Sequence, residues 1–155
     1  MGCGKSAVGV LVAARAGAPF HDLDLIIESD CGTSISEFFA LRGEDAFRAL
    51  ECRLLPTVLL PGCVVAVGGG APLDEENWRL LTEEAVTVFI DCEFDTMWRR
   101  TSGTTNRPLA LGRSREQLME LHQIRLPRYR QAIHHVDADR PADEVASEIL
   151  SIWSD

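Results

Sequence analysis

Residues 1–9 read Met-Gly-Cys-Gly-Lys-Ser-Ala-Val-Gly, and Gly4-Lys5-Ser6 is the closing half of the nucleotide-binding loop GxxxxGK(S/T). In that loop the backbone amides of a glycine-rich turn cradle phosphates, the lysine reaches the terminal phosphates, and the hydroxyl serves a metal ion. A buried strand feeds a complete loop and a helix leaves it. The leaving helix is legible, because VGVLVAARAG (8–17) has apolar residues at helical spacing and Gly17 as a stop. The feeding strand and the first glycine of the pattern do not precede it in this sequence, so the sheet is expected to lack its first strand. The same six residues fit the N-myristoylation pattern MGxxx(S/T), with Cys3 placed for a second acyl chain. The remainder of the chain decides for the phosphate loop.

The chain has 155 residues, 46% of them hydrophobic, which suits a single domain spanning 1–155 with a proper core. No apolar run approaches the ~20 residues of a membrane span. A net charge of −9 argues against a nucleic-acid binder, which needs an excess of Lys and Arg. The five cysteines, odd in number and without a CxxC pair, read as reduced thiols of a cytoplasmic protein.

Helices and short apolar strands alternate along the chain. The spacing predicts a helix over 5–16, a short strand at 19–22 ending in acid, and a helix over 23–31 closed by Gly32. Ser34 and Glu37 form a capping box for a helix ended by Gly43, and a further helix is bent or stopped at Pro56. CVVAV (63–67) and VTVFID (86–91) are continuous apolar runs, the pattern of strands buried on both faces. Helices follow from Asp74 and over FDTMWRRT (94–101), residues 102–113 have loop composition, and a long helix from Arg115 is interrupted near Pro127. HHVDA (134–138) is a last strand, and Pro141 opens a terminal helix. This alternation predicts an α/β fold, a three-layer parallel sheet with helices on both faces, whose ligands bind beyond the carboxyl ends of the strands.

Three polar or glycine-rich segments lie at those ends. Asp22 and Asp24 follow a short strand, where acids hold Mg2+ or orient an acceptor hydroxyl. Gly68-Gly69-Gly70 follows CVVAV, where side chains would block the close approach of a ligand to the backbone. Arg107 lies in a loop of Ser, Thr, Gly and Asn suited to a lid that brings a cation over phosphates. Arg48 and Arg125 suit bidentate recognition of a carboxylate. His21, His122, His134 and His135 show no ligand spacing.

The order GKS, DLDLIIE, GTSISEFFALRGEDAFRALE, VVAVGGG, NRPL, RLPRYRQA resembles shikimate kinase from end to end. The resemblance implies the P-loop nucleoside-monophosphate-kinase fold, whose five-stranded parallel sheet would here lack its first, central strand. It implies transfer of the ATP γ-phosphate to the 3-hydroxyl of shikimate, on the route to chorismate and aromatic amino acids, with Mg2+ as cofactor. The protein would be a cytoplasmic monomer with only small-molecule partners. Carried over, Gly2, Gly4 and Lys5 hold phosphates, Ser6 binds Mg2+, and Asp22 supports it through water. Asp24 holds the acceptor hydroxyls and takes the proton. Arg48 and Arg125 grip the carboxylate beside the backbone of Gly69 and Gly70, and Phe39 and Phe47 line the pocket. Acceptor-binding helices fall at about 23–60 and a lid at about 102–114. Arg107 comes down from that lid, while Arg100 and the Arg140-Pro141 segment flank adenine.

The chain departs from the family pattern at Ala7, where a threonine is usual, at Pro56, and at the first strand. Two further readings stay open at this point: a non-catalytic binder of shikimate-like acids, and another small-metabolite kinase such as a gluconate kinase. Arg48, the glycine run and Arg125 argue against the last.

Overall fold

The computed structural model describes residues 2–101 and 114–154. Helix α1 (Lys5–Ala16) starts at Gly4, whose φ of 90° suits only a residue without Cβ, and stops at Gly17 as the sequence predicts. Strand β1 (Phe20–Asp22) runs directly into α2 (Leu23–Cys31), and Asp22 caps that helix by accepting from the Asp24 amide at 3.0 Å. Helix α3 (Ile35–Val58) begins on the Ser34–Glu37 capping box. Gly43, with φ 80° and ψ 174°, is non-helical and breaks it into two helical arms, so the predicted stop falls where the two arms meet at a bend.

Pro56 does not stop α3, which continues to Val58, and Pro127 does not interrupt α6 (Arg115–Tyr129). Both expectations are corrected for one reason. Each proline sits in the last turn of its helix, where only one hydrogen bond is forfeited and little helix remains to be bent. The remaining elements are β2 (Val64–Ala66), α4 (Glu75–Glu84) capped by Asp74, β3 (Val88–Asp91), α5 (Phe94–Thr101), β4 (His134–Asp137) and α7 (Ala142–Ser154).

All pairing is parallel. β1 lies on β2 with Phe20 opposite Val64 and Asp22 opposite Ala66, and β3 lies on β4 with Val88 opposite His134 and Asp91 opposite Asp137. Among the described residues these remain two separate two-stranded sheets. The runs 63–67 and 86–91, read as strands buried on both faces, do form strands, but these are less completely buried than that reading expects. Only Ala66 of β2 is buried, and β3 is half-buried throughout, because each strand has a neighbour on one edge alone.

Helices cover both faces. On one side Val8 and Val12 of α1 pack with Met97, Val136, Val145 and Ala146, and Val64 of β2 joins them with Val88 and Ile90 of β3. Helix α1 therefore seats on β1 and β2 and shares its apolar cluster with β3 and β4. On the other side Val65 and Val67 pack with Leu23, Ile27, Phe47, Leu55 and Leu81 from α2, α3 and α4. The alternation of Val64 and Val65 between these two clusters follows the two-residue period of a strand. The turns after β1 and β2, and the start of α1, carry the predicted polar residues.

Candidate functional site

Lys5 is the first residue of α1, and its side chain crosses to the end of β1. Its Nζ lies 3.1 Å from Asp24 Oδ2 and 3.4 Å from Asp22 Oδ2, while the Ser6 hydroxyl donates to the Asp22 carboxylate. Burial alone would lower the Lys5 pKa, but Asp24 and Asp22 outweigh it and the net shift is upward, so the ammonium stays charged. Gly2 is buried against α5: a Cβ there would lie 2.7 Å from Thr101 Cγ2 and 2.9 Å from the Met97 carbonyl. The turn Gly2–Gly4 leads into the N-terminus of α1, whose positive end favours an anion.

The three glycines after β2 face three different partners. A Cβ on Gly68 would stand 2.8 Å from Asp24 Oδ1 and 3.2 Å from Glu51 Oε1. On Gly69 it would stand 2.8 Å from the Tyr129 hydroxyl and 3.7 Å from Arg125 Nη1, and on Gly70 it would overlap the Arg48 guanidinium. The run is therefore packed so closely by side chains that no Cβ fits, which is more than a turn requires. Asp24 joins this region to the Lys5 cluster, because its carboxylate touches both.

Arg48 is held by Glu51 and by Glu44, the latter at 2.8 Å, with its guanidinium 5.2 Å from the centre of the Phe47 ring. Phe47 meets Phe39 with ring centres 4.8 Å apart. Glu51 is 1% exposed and Arg125 8%, yet Glu51 Oε1 and Arg125 Nε have no hydrogen-bond partner. Buried polar atoms are seldom left unmade without a reason, and two beside one glycine run mark a place for a polar ligand. Burial raises the Glu51 pKa against the opposing effect of Arg48.

The structure thus brings together Gly2, Gly4, Lys5, Ser6, Asp22, Asp24, Arg48, Gly69, Gly70 and Arg125, with Phe39 and Phe47 alongside. Arg100 stands apart on α5, where it donates to the Ala138 carbonyl at 3.1 Å and lines a cleft of about 600 Å³ with Glu93, Thr96, Arg99 and Asp139. The glycine run is not part of that cleft. Arg140 pairs with Glu148 and donates to the Asp137 carbonyl. Arg107, with residues 102–113 of the predicted lid, lies outside the described residues.

Glu51 and Tyr129 were missed as site residues, and both carried a signal. Glu51 occupies the buried stripe Phe47–Glu51–Leu55–Val58, where an acid is out of place unless it serves a partner. Tyr129 follows Arg125 by four residues, hence on the same face of α6.

Comparison with known proteins agrees with this geometry. A family model described as shikimate kinase matches residues 1–153. A shikimate kinase of Salinibacter ruber is 39% identical over 163 residues, covering 98% of this chain and 80% of the relative. One of Caulobacter vibrioides is 40% identical over 152 residues, covering 97% and 76%. Among solved structures, a shikimate kinase from Acinetobacter baumannii in complex with shikimate superposes with a TM-score of 0.94 at 31% identity, covering 99% of this chain and 88% of that one. The Aquifex aeolicus shikimate kinase gives 0.87 at 33% identity, covering 99% and 92%.

Proposed function

Because the chain belongs to the shikimate kinase family, we infer that it transfers the γ-phosphoryl group of ATP to the 3-hydroxyl of shikimate, a step of aromatic amino-acid biosynthesis. The observation that carries the reading is the glycine run packed against Asp24 and Glu51, Arg125, and Arg48, with Asp24 also paired to Lys5. One carboxylate thereby stands between a phosphate-binding cation and a glycine run edged by two arginines.

The roles follow from chemistry. Lys5 and the amides of Gly2 and Gly4 hold the β- and γ-phosphates. Asp24 orients the acceptor hydroxyl and accepts its proton, being next to both the phosphate side and the glycine run. Arg48 and Arg125 bind the substrate carboxylate, each charge-assisted contact contributing ~1.5–3 kcal/mol. Glu51 and Glu44 aim the Arg48 guanidinium, and Phe39 and Phe47 wall the pocket. Gly69 and Gly70 let the ring approach the backbone. Arg107 neutralises the phosphates from the lid, and Arg100 and Arg140 flank the adenine. Phosphoryl transfer asks chiefly for such positioning and charge neutralisation.

Mg2+ fits the donor set at Ser6 and Asp22, which are hard oxygen ligands in mutual contact. Among the described residues no cluster of three or more His, Cys, Asp or Glu forms a protein cage, and Mg2+ is usually shared between one or two side chains and substrate phosphates. When bound it would screen the phosphate charge. The same reading makes the protein a cytoplasmic monomer acting on small molecules. Its five free thiols accord with a reducing compartment, and no helix of the described residues is long and apolar enough to cross a membrane.

The test is ADP release with MgATP and either shikimate or gluconate as acceptor. Shikimate-dependent turnover, with gluconate poor, is expected. Faster gluconate turnover would move the assignment to another acceptor, and shikimate binding without ADP release would indicate a non-catalytic binder.

A further inference from the structure

The chain's single tyrosine connects two parts of the site that lie 60 residues apart. Tyr129, on the last turn of α6, donates its hydroxyl to the Gly69 carbonyl at 2.6 Å. Arg125, one turn earlier on α6, flanks the same glycine, its Nη1 and the Tyr129 hydroxyl both standing against Gly69. Its ring is fixed independently of any ligand, lying 5.5 Å from Phe89 of β3, which in turn stands edge-on to His135 of β4. The hydroxyl is thus placed by the second strand pair and acts on the loop of the first.

We propose that Tyr129 is a positioning residue for the acceptor, pinning the Gly69–Gly70 peptide by its carbonyl so that the Gly70 N–H is presented to the substrate. The peptide is trans, so its N–H points away from the tyrosine that holds its C=O. A hydrogen bond at the carbonyl also polarises the amide and makes it a better donor. Arg125 stands against the same glycine, so the guanidinium that binds the carboxylate and the amide that meets the ring lie side by side. Burial raises the Tyr129 pKa despite the opposing charge of Arg125, and the hydroxyl keeps the proton it donates. The proposal rests on the assignment of shikimate as acceptor.

Tyr129→Phe keeps the ring on Phe89 and removes only the hydroxyl. The expected result is a shikimate KM about five- to tenfold higher, the range of one lost hydrogen bond, with kcat and the ATP KM within about twofold. Gly69→Ala, whose methyl would press on the same hydroxyl, should give the same split. An unchanged shikimate KM in Tyr129→Phe overturns the proposal, as does a parallel rise of both KM values. A fall in Tm of more than about 5 °C would make the bond structural and overturn it as well. Absence of shikimate turnover in the unsubstituted protein is the distinct outcome that removes the underlying assignment.

Discussion

In α3 the Glu51 carboxylate has one oxygen on Arg48 and the other beside the position of Asp24 Oδ1, with Arg125 also near and Glu44 on the far side of Arg48. Its pKa in the folded protein is raised, by burial first, above the ordinary glutamate value. As pH rises, the unfolded chain therefore loses this proton before the folded one. In the window between the two values the folded state binds more protons, and stability falls with rising pH. Glu51→Gln has no such proton and should flatten that fall, read as Tm against pH from the ordinary glutamate range to neutrality. Parallel profiles for the two proteins would show that Glu51 is ionised throughout. At this scale the sequence was only partly legible. Lys5, Ser6 and the glycine run announce themselves by type and spacing. Arg48 and Arg125 are two of several scattered arginines, and no local pattern says which fold toward the glycines. Glu51 and Tyr129 carried only a hint within their own helices, because their roles depend on contacts between α3, α6 and the loop after β2.

Helix ends were the most legible elements, because caps are local chemistry. Asp22, Ser34 and Asp74 each satisfy amides of the turn that comes after them. Proline was over-read as a breaker, since its effect depends on its distance from a helix end that the sequence leaves open. Gly43 is the position where backbone conformation bears on the site. Its φ and ψ lie in a region almost closed to residues with Cβ, and the bend it makes lets Phe39 of one arm meet Phe47 of the other. Gly43→Ala should cost ~1–3 kcal/mol in urea unfolding. It should also raise the shikimate KM more than it lowers kcat, because the acceptor wall moves while Lys5 does not. If stability falls and both kinetic constants keep their values, the bend serves folding alone.

For the molecule as a whole, the apolar runs 63–67 and 86–91 predicted strands correctly and a more complete burial than they reach. Burial of a strand is set by its neighbours, and β2 and β3 each keep one unpaired edge among the described residues. An extended apolar segment pairing with both edges would satisfy backbone groups on each side. Helix α1 meanwhile unites two duties: its apolar face packs in the cluster that both pairs share, and its first turn bears Lys5 and Ser6. A loss-of-function screen scored only by enzymatic output would consequently flag Val8 and Val12 beside Lys5, and a map of essential positions drawn that way would overstate the extent of the active centre along this helix.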